Sequence, residues 1–256
     1  VFITGASSGI GRALALCYAS RGVPLGLAAR RQVELEEVQA QVRALGGTAF
    51  TYLLDVRDAA ATREVLRMAH QDLGGLHTVV ANAGVATGQR GAAITWEAAE
   101  PVLDINVKGA FCTIISALPY LREAGAGHIV GVSSLAGRAG LPSSSVYSAS
   151  KAALTTFLQA LRVELKDHGV DVSDVQAGFV KTPMTEKGGF TRPFEWSAEH
   201  AATFIADQLE KRPAIVEFQF PLTLITGAAR VMPRAIFDRV VPFAMRKMRK
   251  PTPPNA

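Results

Sequence analysis

The chain of 256 residues is 48% hydrophobic and 19% charged, enough apolar material for one large core and too little polar bias for disorder. Its formal charge of +5 is uneven: residues 1–229 carry 20 basic and 21 acidic side chains, whereas 230–250 carry seven basic ones against Asp238 alone. A neutral body with a basic tail argues against a nucleic-acid-binding surface, and no uninterrupted apolar run approaches the roughly 18 residues of a membrane span.

Val1 to Thr4 reads as a buried strand, and Gly5-Ala6-Ser7-Ser8-Gly9-Ile10-Gly11 as a glycine-rich turn leading into a helical pattern over Arg12 to Ala19. The chain opens inside that strand, so an upstream leader or anchor is compatible with it. Strand, glycine turn and helix together suit a dinucleotide pyrophosphate, because exposed N–H groups and a helix N-terminus favour negative charge. The spacing differs from G-x-G-x-x-G, so the turn alone is weak evidence. Val23 to Ala29 is a second strand, closed by Arg30 and Arg31. A carboxylate would bind the adenosine ribose of NAD at that strand end. Here Ala29 and two arginines suit the 2′-phosphate of NADP(H) instead.

A helix carrying Leu35, Val38, Val42 and Leu45 on its apolar face is expected to stop at Gly46-Gly47. Ala49 to Leu54 is a third strand, followed by Asp55-Val56, where Asp55 either faces an adenine or caps the next helix. His77 to Ala81 is a fourth strand with Asn82-Ala83-Gly84 turning after it, and Gly127 to Ser133 is a fifth. This alternation predicts a parallel, doubly wound sheet in one domain.

From Val146 the apolar residues Leu154, Phe157, Leu158, Leu161 and Leu165 mark a helix running to Lys166. Tyr147 and Lys151 then share a face, and a neighbouring ammonium favours the phenolate, drawing the phenol toward acid–base work. Such a pair on a helix is also a common surface accident, so its company decides.

That company resembles the short-chain dehydrogenase/reductase family over most of residues 1–220. The likeness rests on Thr4-Gly5-x-x-x-Gly9-Ile10-Gly11, Asp55, Asn82-Ala83-Gly84, Asn106, Ser133-Ser134 and Tyr147-x-x-x-Lys151. Ser134 stands thirteen residues before Tyr147, the family's interval. The usual Pro-Gly after the sixth strand is Ala177-Gly178, which is expected to loosen the loop near the nicotinamide, although Phe179-Val180-Lys181-Thr182-Pro183-Met184 continues the pattern.

The resemblance implies a Rossmann-type α/β fold with helices on both faces of the sheet. Tyr147 would be the general acid or base, with Lys151 lowering its pKa and binding the nicotinamide ribose. Ser134 would hydrogen-bond the substrate oxygen, Asn106 would hold a water linking Lys151 to solvent, and Thr182 would reach the carboxamide. Ser7, Ser8, Val56 and Val180 fall within the matched cofactor-binding segments. The expected activity is an NADPH-dependent carbonyl reductase or alcohol dehydrogenase acting on a ketone, aldehyde or secondary alcohol. An epimerase or dehydratase of the same fold, and a dinucleotide sensor without turnover, are the alternatives. The family's habit of pairing two long helices, here about 98–118 and 147–166, implies a homodimer or homotetramer.

Substrate contacts are expected from Val85 to Ala92, Leu135 to Ser144 and Met184 to Trp196, the last read as a mobile aromatic lid over a mildly lipophilic substrate. His70, His77, His128, His168 and His200 are too scattered for a metal site, and none is expected. Cys17 and Cys112 read as buried free thiols, consistent with a reducing cytoplasm. Residues 221–256 read as a basic extension of the catalytic segment 1–220, divided into short helices by Pro221, Pro233 and Pro242. It would serve as a lid, an oligomer contact or a peripheral membrane contact through 230–250.

Overall fold

The computed structural model describes residues 1–87, 91–186 and 192–247. Seven strands form one parallel sheet in the order β3-β2-β1-β4-β5-β6-β7. They are β1 (Phe2–Thr4), β2 (Leu25–Ala29), β3 (Ala49–Leu53), β4 (Thr78–Ala81), β5 (Gly127–Val132), β6 (Val170–Gln176) and β7 (Ile215–Glu217). The chain winds outward from β1 to β3, then restarts at β4 and winds the other way. A crevice therefore opens between β1 and β4 at the strands' C-terminal ends, where ligands of such sheets lie.

Alternation along the strands feeds two apolar layers. Ile3, Leu27, Val80 and Val130 face α1 (Gly9–Ala19) and α2 (Gln32–Ala44), together with α8 (Ala198–Leu209). Phe2, Ala28, Val79 and Ile129 face α3 (Ala59–Asp72), α5 (Ala110–Glu123) and α6 (Ser145–Glu164). The apolar face assigned to α2 holds at Leu35, Val38 and Val42, but Leu45 lies past the helix end and is exposed.

α4 (Trp96–Leu103) continues into α5 through a π-helical segment, Asp104–Gly109, so the expected long helix contains a widened turn at Asn106. By length and composition the run Trp96–Glu123 is apolar enough to cross a membrane. Ile105, Ile114 and Leu121 are spent on the core layer beneath it, as expected of a buried core helix.

After the short α7 (Pro183–Glu186), α8 and β7, the last described elements are α9 (Phe220–Val231) and α10 (Arg234–Lys247). Pro221 sits in the first turn of α9, where its missing N–H costs nothing, and Pro233 stands between the two helices. Pro242 does not divide the tail as expected: α10 carries it in its interior. Both cysteines are free and half-buried rather than buried. Among the described residues no cluster of three metal-ligating side chains occurs.

Candidate active site

One cleft at the switch point gathers Gly5, Ser8, Gly9 and Ile10 from the β1–α1 turn, Asn82 to Gly84 from the β4 end, and Ser134, Tyr147, Lys151, Val180 and Thr182 from the other side. The turn has a reason for its glycines. Gly5 has φ +67°, and a Cβ there would stand 2.8 Å from the Ala83 Cα; a Cβ on Gly11 would stand 2.5 Å from the Gly5 carbonyl oxygen. Asn82 braces the turn from β4, its side-chain amide donating to the Thr4 carbonyl at 2.9 Å and the Gly5 carbonyl at 3.3 Å.

Whether these residues suit a dinucleotide is tested by the start of α1. Asp58 caps α3 and Ser197 caps α8 through their side chains, whereas Ser8 at the N-cap of α1 makes no cap bond. The first-turn N–H groups of α1 therefore have no side-chain acceptor from Ser8, whose hydroxyl is taken by Arg31, and they lie on a turn crowded enough to admit only backbone. The fit is good.

Beyond that turn, Arg31 donates to the hydroxyls of Ser7 (2.9 Å) and Ser8 (2.8 Å) and pairs with Glu34 at 3.1 Å. Arg30 stands 3.9 Å from Asp55. Asp55 does not cap α3; its carboxylate is held by Arg57 at 2.6 Å, which keeps it below the usual carboxylate range. Arg57 went unnoticed in the sequence because it looks like any exposed residue at a strand end. Val56 is buried against Gly109, whose added Cβ would meet the Val56 side chain at 2.6 Å, so it packs the wall.

At the catalytic end, Ser134 starts a single 3-10 turn (Leu135–Gly137). Its hydroxyl accepts from the Ala136 N–H and donates to the Ala177 carbonyl, both at 3.1 Å. Burial pushes the Tyr147 phenol above its ordinary value, and a hydrogen bond with Ser134 pulls the other way. Lys151, expected to lower that pKa, stands over the Tyr147 ring. Its Nζ donates to the Val132 carbonyl at 2.8 Å and lies 5.8 Å from the centre of the Tyr147 ring. Burial lowers Lys151 itself to about 8, against a partial counter-pull from Asp174.

Asn106 is fully buried behind the pair. Its amide donates to the Val85 carbonyl (2.9 Å) and the Ser150 hydroxyl (3.0 Å), and its oxygen accepts from the Val85 N–H at 2.8 Å. Both amide hydrogens are engaged by protein, so the side chain pins the 85 loop to α6. Gly84 fits between: a Cβ on it would sit 3.3 Å from Asn106 Oδ1 and 3.4 Å from Lys151 Nζ.

A buried polar network lies behind the serines. Asp174 accepts from Ser133, from Thr155 at 2.9 Å and from Gln176 at 2.8 Å. Gln176 accepts from Arg138 at 2.7 Å, and Arg138 also bonds Glu217 and the Thr223 carbonyl. The loop expected to be loosened by Ala177 is held firmly. Ala177 also accepts from the Leu135 N–H at 3.0 Å, while the Gln219 amide grips the N–H (2.7 Å) and carbonyl (2.5 Å) of Phe179. Gln219 itself is buried at φ +69°.

Thr182 is linked to Thr185, whose hydroxyl accepts from the Thr182 N–H at 2.9 Å and also lines the cleft. Trp196 is a packing residue rather than lid surface: it stacks on Phe218 at 4.8 Å and pairs its backbone with Phe179 and Lys181. Gly188, Gly189 and Phe190 of the expected lid, and 88–90 of the first substrate segment, lie outside the described residues.

Comparison with known proteins agrees with this architecture. The family model described as short chain dehydrogenase matches residues 1–191. An uncharacterized oxidoreductase of Myxococcus xanthus (strain DK1622) is 42% identical over 236 residues, covering 92% of this chain and 93% of that one. A 3-ketoacyl-ACP reductase from Sinorhizobium meliloti 1021 superposes with a TM-score of 0.77 at 31% identity, covering 88% of this chain and 98% of that one. A short chain dehydrogenase from Mycobacterium paratuberculosis bound to NAD gives 0.79 at 29% identity, over 87% and 97% of the two chains. The chain belongs to the short-chain dehydrogenase family of oxidoreductases.

Proposed function

We propose that the protein is an NADP(H)-dependent carbonyl reductase, reversibly interconverting a ketone or aldehyde with its alcohol. The observation that carries the reading is the single cleft in which Ser134, Tyr147 and Lys151 meet the uncapped first turn of α1.

The β1–α1 turn, Asn82 to Gly84, Val180 and Thr182 would hold the cofactor, whose nicotinamide supplies or accepts the hydride. Ser134, fixed by Ala177, orients the substrate oxygen. The Tyr147 phenol gives its proton to that oxygen in reduction and takes it back in oxidation. Its raised pKa keeps it protonated, as reduction requires. Lys151, held at the Val132 carbonyl, supplies positive charge beneath the reacting groups, and Asn106 fixes the helix and loop around it.

Preference for NADP(H) rests on Arg30 and Arg31 at the β2 end with no carboxylate on that strand terminus; Glu34 already pairs with Arg31 and must share it with a 2′-phosphate. The same reading includes a homodimer or homotetramer formed through the outward sides of α5 and α6, where Ile115 and Val163 are exposed, and a reducing cytoplasm that keeps both cysteines free. Residues 221–256 extend the catalytic segment 1–220.

A screen of ketones, aldehydes and secondary alcohols with NADPH, NADP⁺ and their unphosphorylated counterparts, read by nicotinamide absorbance, tests the activity. Turnover favouring the phosphorylated cofactor is expected. Preference for NADH at equal concentration overturns the cofactor assignment, and no redox turnover with any carbonyl overturns the reductase.

A further inference from the structure

The outward side of α9 is unusual for a surface helix. Phe220, Pro221, Leu224, Ile225, Ala228 and Val231 are all exposed, and at 3.6 residues per turn they fall within an arc about 140° wide. The opposite side carries the buried Leu222 and Thr223 and rests on the 3-10 turn after Ser134, where Arg138 reaches the Thr223 carbonyl at 3.2 Å. α9 is thus anchored on its inner side and apolar on its outer side. On α10, Ile236 and Val240 are exposed one helical turn apart.

Charge indicates what covers this face. Arg234 and Arg239 are exposed on α10, whereas Arg230 falls on the inner side of α9, and the sequence continues with Arg246, Lys247, Arg249 and Lys250 against Asp238 alone. A symmetric contact between two copies through this face would set the same cations against each other. An anionic bilayer meets both features at once: the apolar arc enters the boundary between headgroups and acyl chains, and the cations face lipid phosphates.

We propose that α9 and α10 dock the protein on the surface of an anionic phospholipid bilayer. The docking is peripheral, adds no spanning segment, and is independent of the reductase reading. It places the lipid surface against the helix that backs the Ser134 turn.

The test is co-sedimentation of the full chain with vesicles of equimolar phosphatidylglycerol and phosphatidylcholine, and with pure phosphatidylcholine, at low and high salt. Binding to the anionic vesicles at low salt, weakened by salt and by removal of phosphatidylglycerol, is expected. Leu224→Glu with Ile225→Glu, and separately Arg234→Glu with Arg239→Glu, should each reduce the bound fraction at least about tenfold. Melting curves serve as the folding control; where the α9 variant does not fold, the α10 charge variant carries the test. Wild-type protein left in the supernatant at low salt overturns the proposal, as does undiminished binding by either folded variant. A dimer that dissociates when Leu224 and Ile225 become glutamate, with no wild-type binding to vesicles, assigns the face to a second copy instead.

Discussion

The two ends of the cleft hold their charges differently. At the β2–β3 edge the groups are half in water: the Arg31 side chain is 48% exposed, and its partner Glu34 and the Asp55–Arg57 pair are similarly open. At the β5–β6 edge Arg138 is 13% exposed, Asp174 and Gln176 are buried, and nearly every polar atom is matched to a partner in another element. Exposed pairs are individually weak and can re-pair with an arriving phosphate. Buried networks are costly to break, because each orphaned group loses both its partner and water. One end is therefore built to exchange partners, the other to keep them.

Four substitutions sharpen or break that contrast. The largest effect is expected for Tyr147→Phe, which removes the proton donor but keeps the ring. Turnover should fall roughly 10²- to 10⁴-fold while cofactor affinity, followed by fluorescence titration, stays near wild type. Near-full activity in this variant would remove Tyr147 from the chemistry.

Asp174→Ala comes next, leaving Ser133, Thr155 and Gln176 without their acceptor. A stability loss of about 3 kcal/mol is expected, seen as a melting point lower by roughly 6–12 °C, with Asp174→Asn recovering part of it. A melting point unchanged in the alanine variant would mean that the buried network does not hold the catalytic edge.

At the open edge, Arg31→Ala should weaken NADPH binding about 10- to 100-fold and change NADH binding much less. Its own fold stability should hardly move, in contrast to Asp174→Ala. Equal loss for both cofactors would assign Arg31 to bracing the Ser7–Ser8 turn rather than to the phosphate.

The smallest effect concerns Lys151 and pH. Its amine has a value near 8 when folded against 10.5 as the ordinary value, so burial disfavours the charged form. Below pH 8 the amine is charged in both states and the full burial cost is present. Between 8 and 10.5 the unfolded chain retains a proton that the native protein has shed, so this group makes stability rise with pH. Lys151→Met should therefore raise stability by about 1–3 kcal/mol near pH 6, the lost bond to Val132 offsetting part of the gain, and by less near pH 10. Denaturant melts at the two pH values check the sign.

What was legible in the sequence is mostly what is local. The glycine turn, the Tyr147–Lys151 spacing and the Ser134 interval each lie within one element or one turn, and the sheet brings them to a single cleft. Asn106 was legible as a polar residue out of place in a helix, but the π-helical segment that accommodates it was not. The Asp174–Gln176–Arg138 network was hidden because its bonded partners stand 19 or more residues apart, except for Asp174 and Gln176 on the same strand. Gln219 left no trace at all: a glutamine before Phe220-Pro221 looks like loop, and only the fold sets it against Phe179 forty residues earlier. Pro242 misled in the opposite direction, since a rule that stops helices at proline is overridden within α10.

The grip of Gln219 on Phe179 ties the start of α9 to the floor of the cleft. Because the amide holds both the N–H and the carbonyl of Phe179, while Ala177 two residues earlier holds Ser134, the start of α9 cannot shift without loosening the support of the serine. Linkage through such a joint is reciprocal. To the extent that this joint transmits order, whatever steadies α9 from outside favours the ordered cleft, and a ligand that orders the cleft strengthens the outside contact by the same factor. Affinity measured at either place, with and without the other occupied, would read that joint directly.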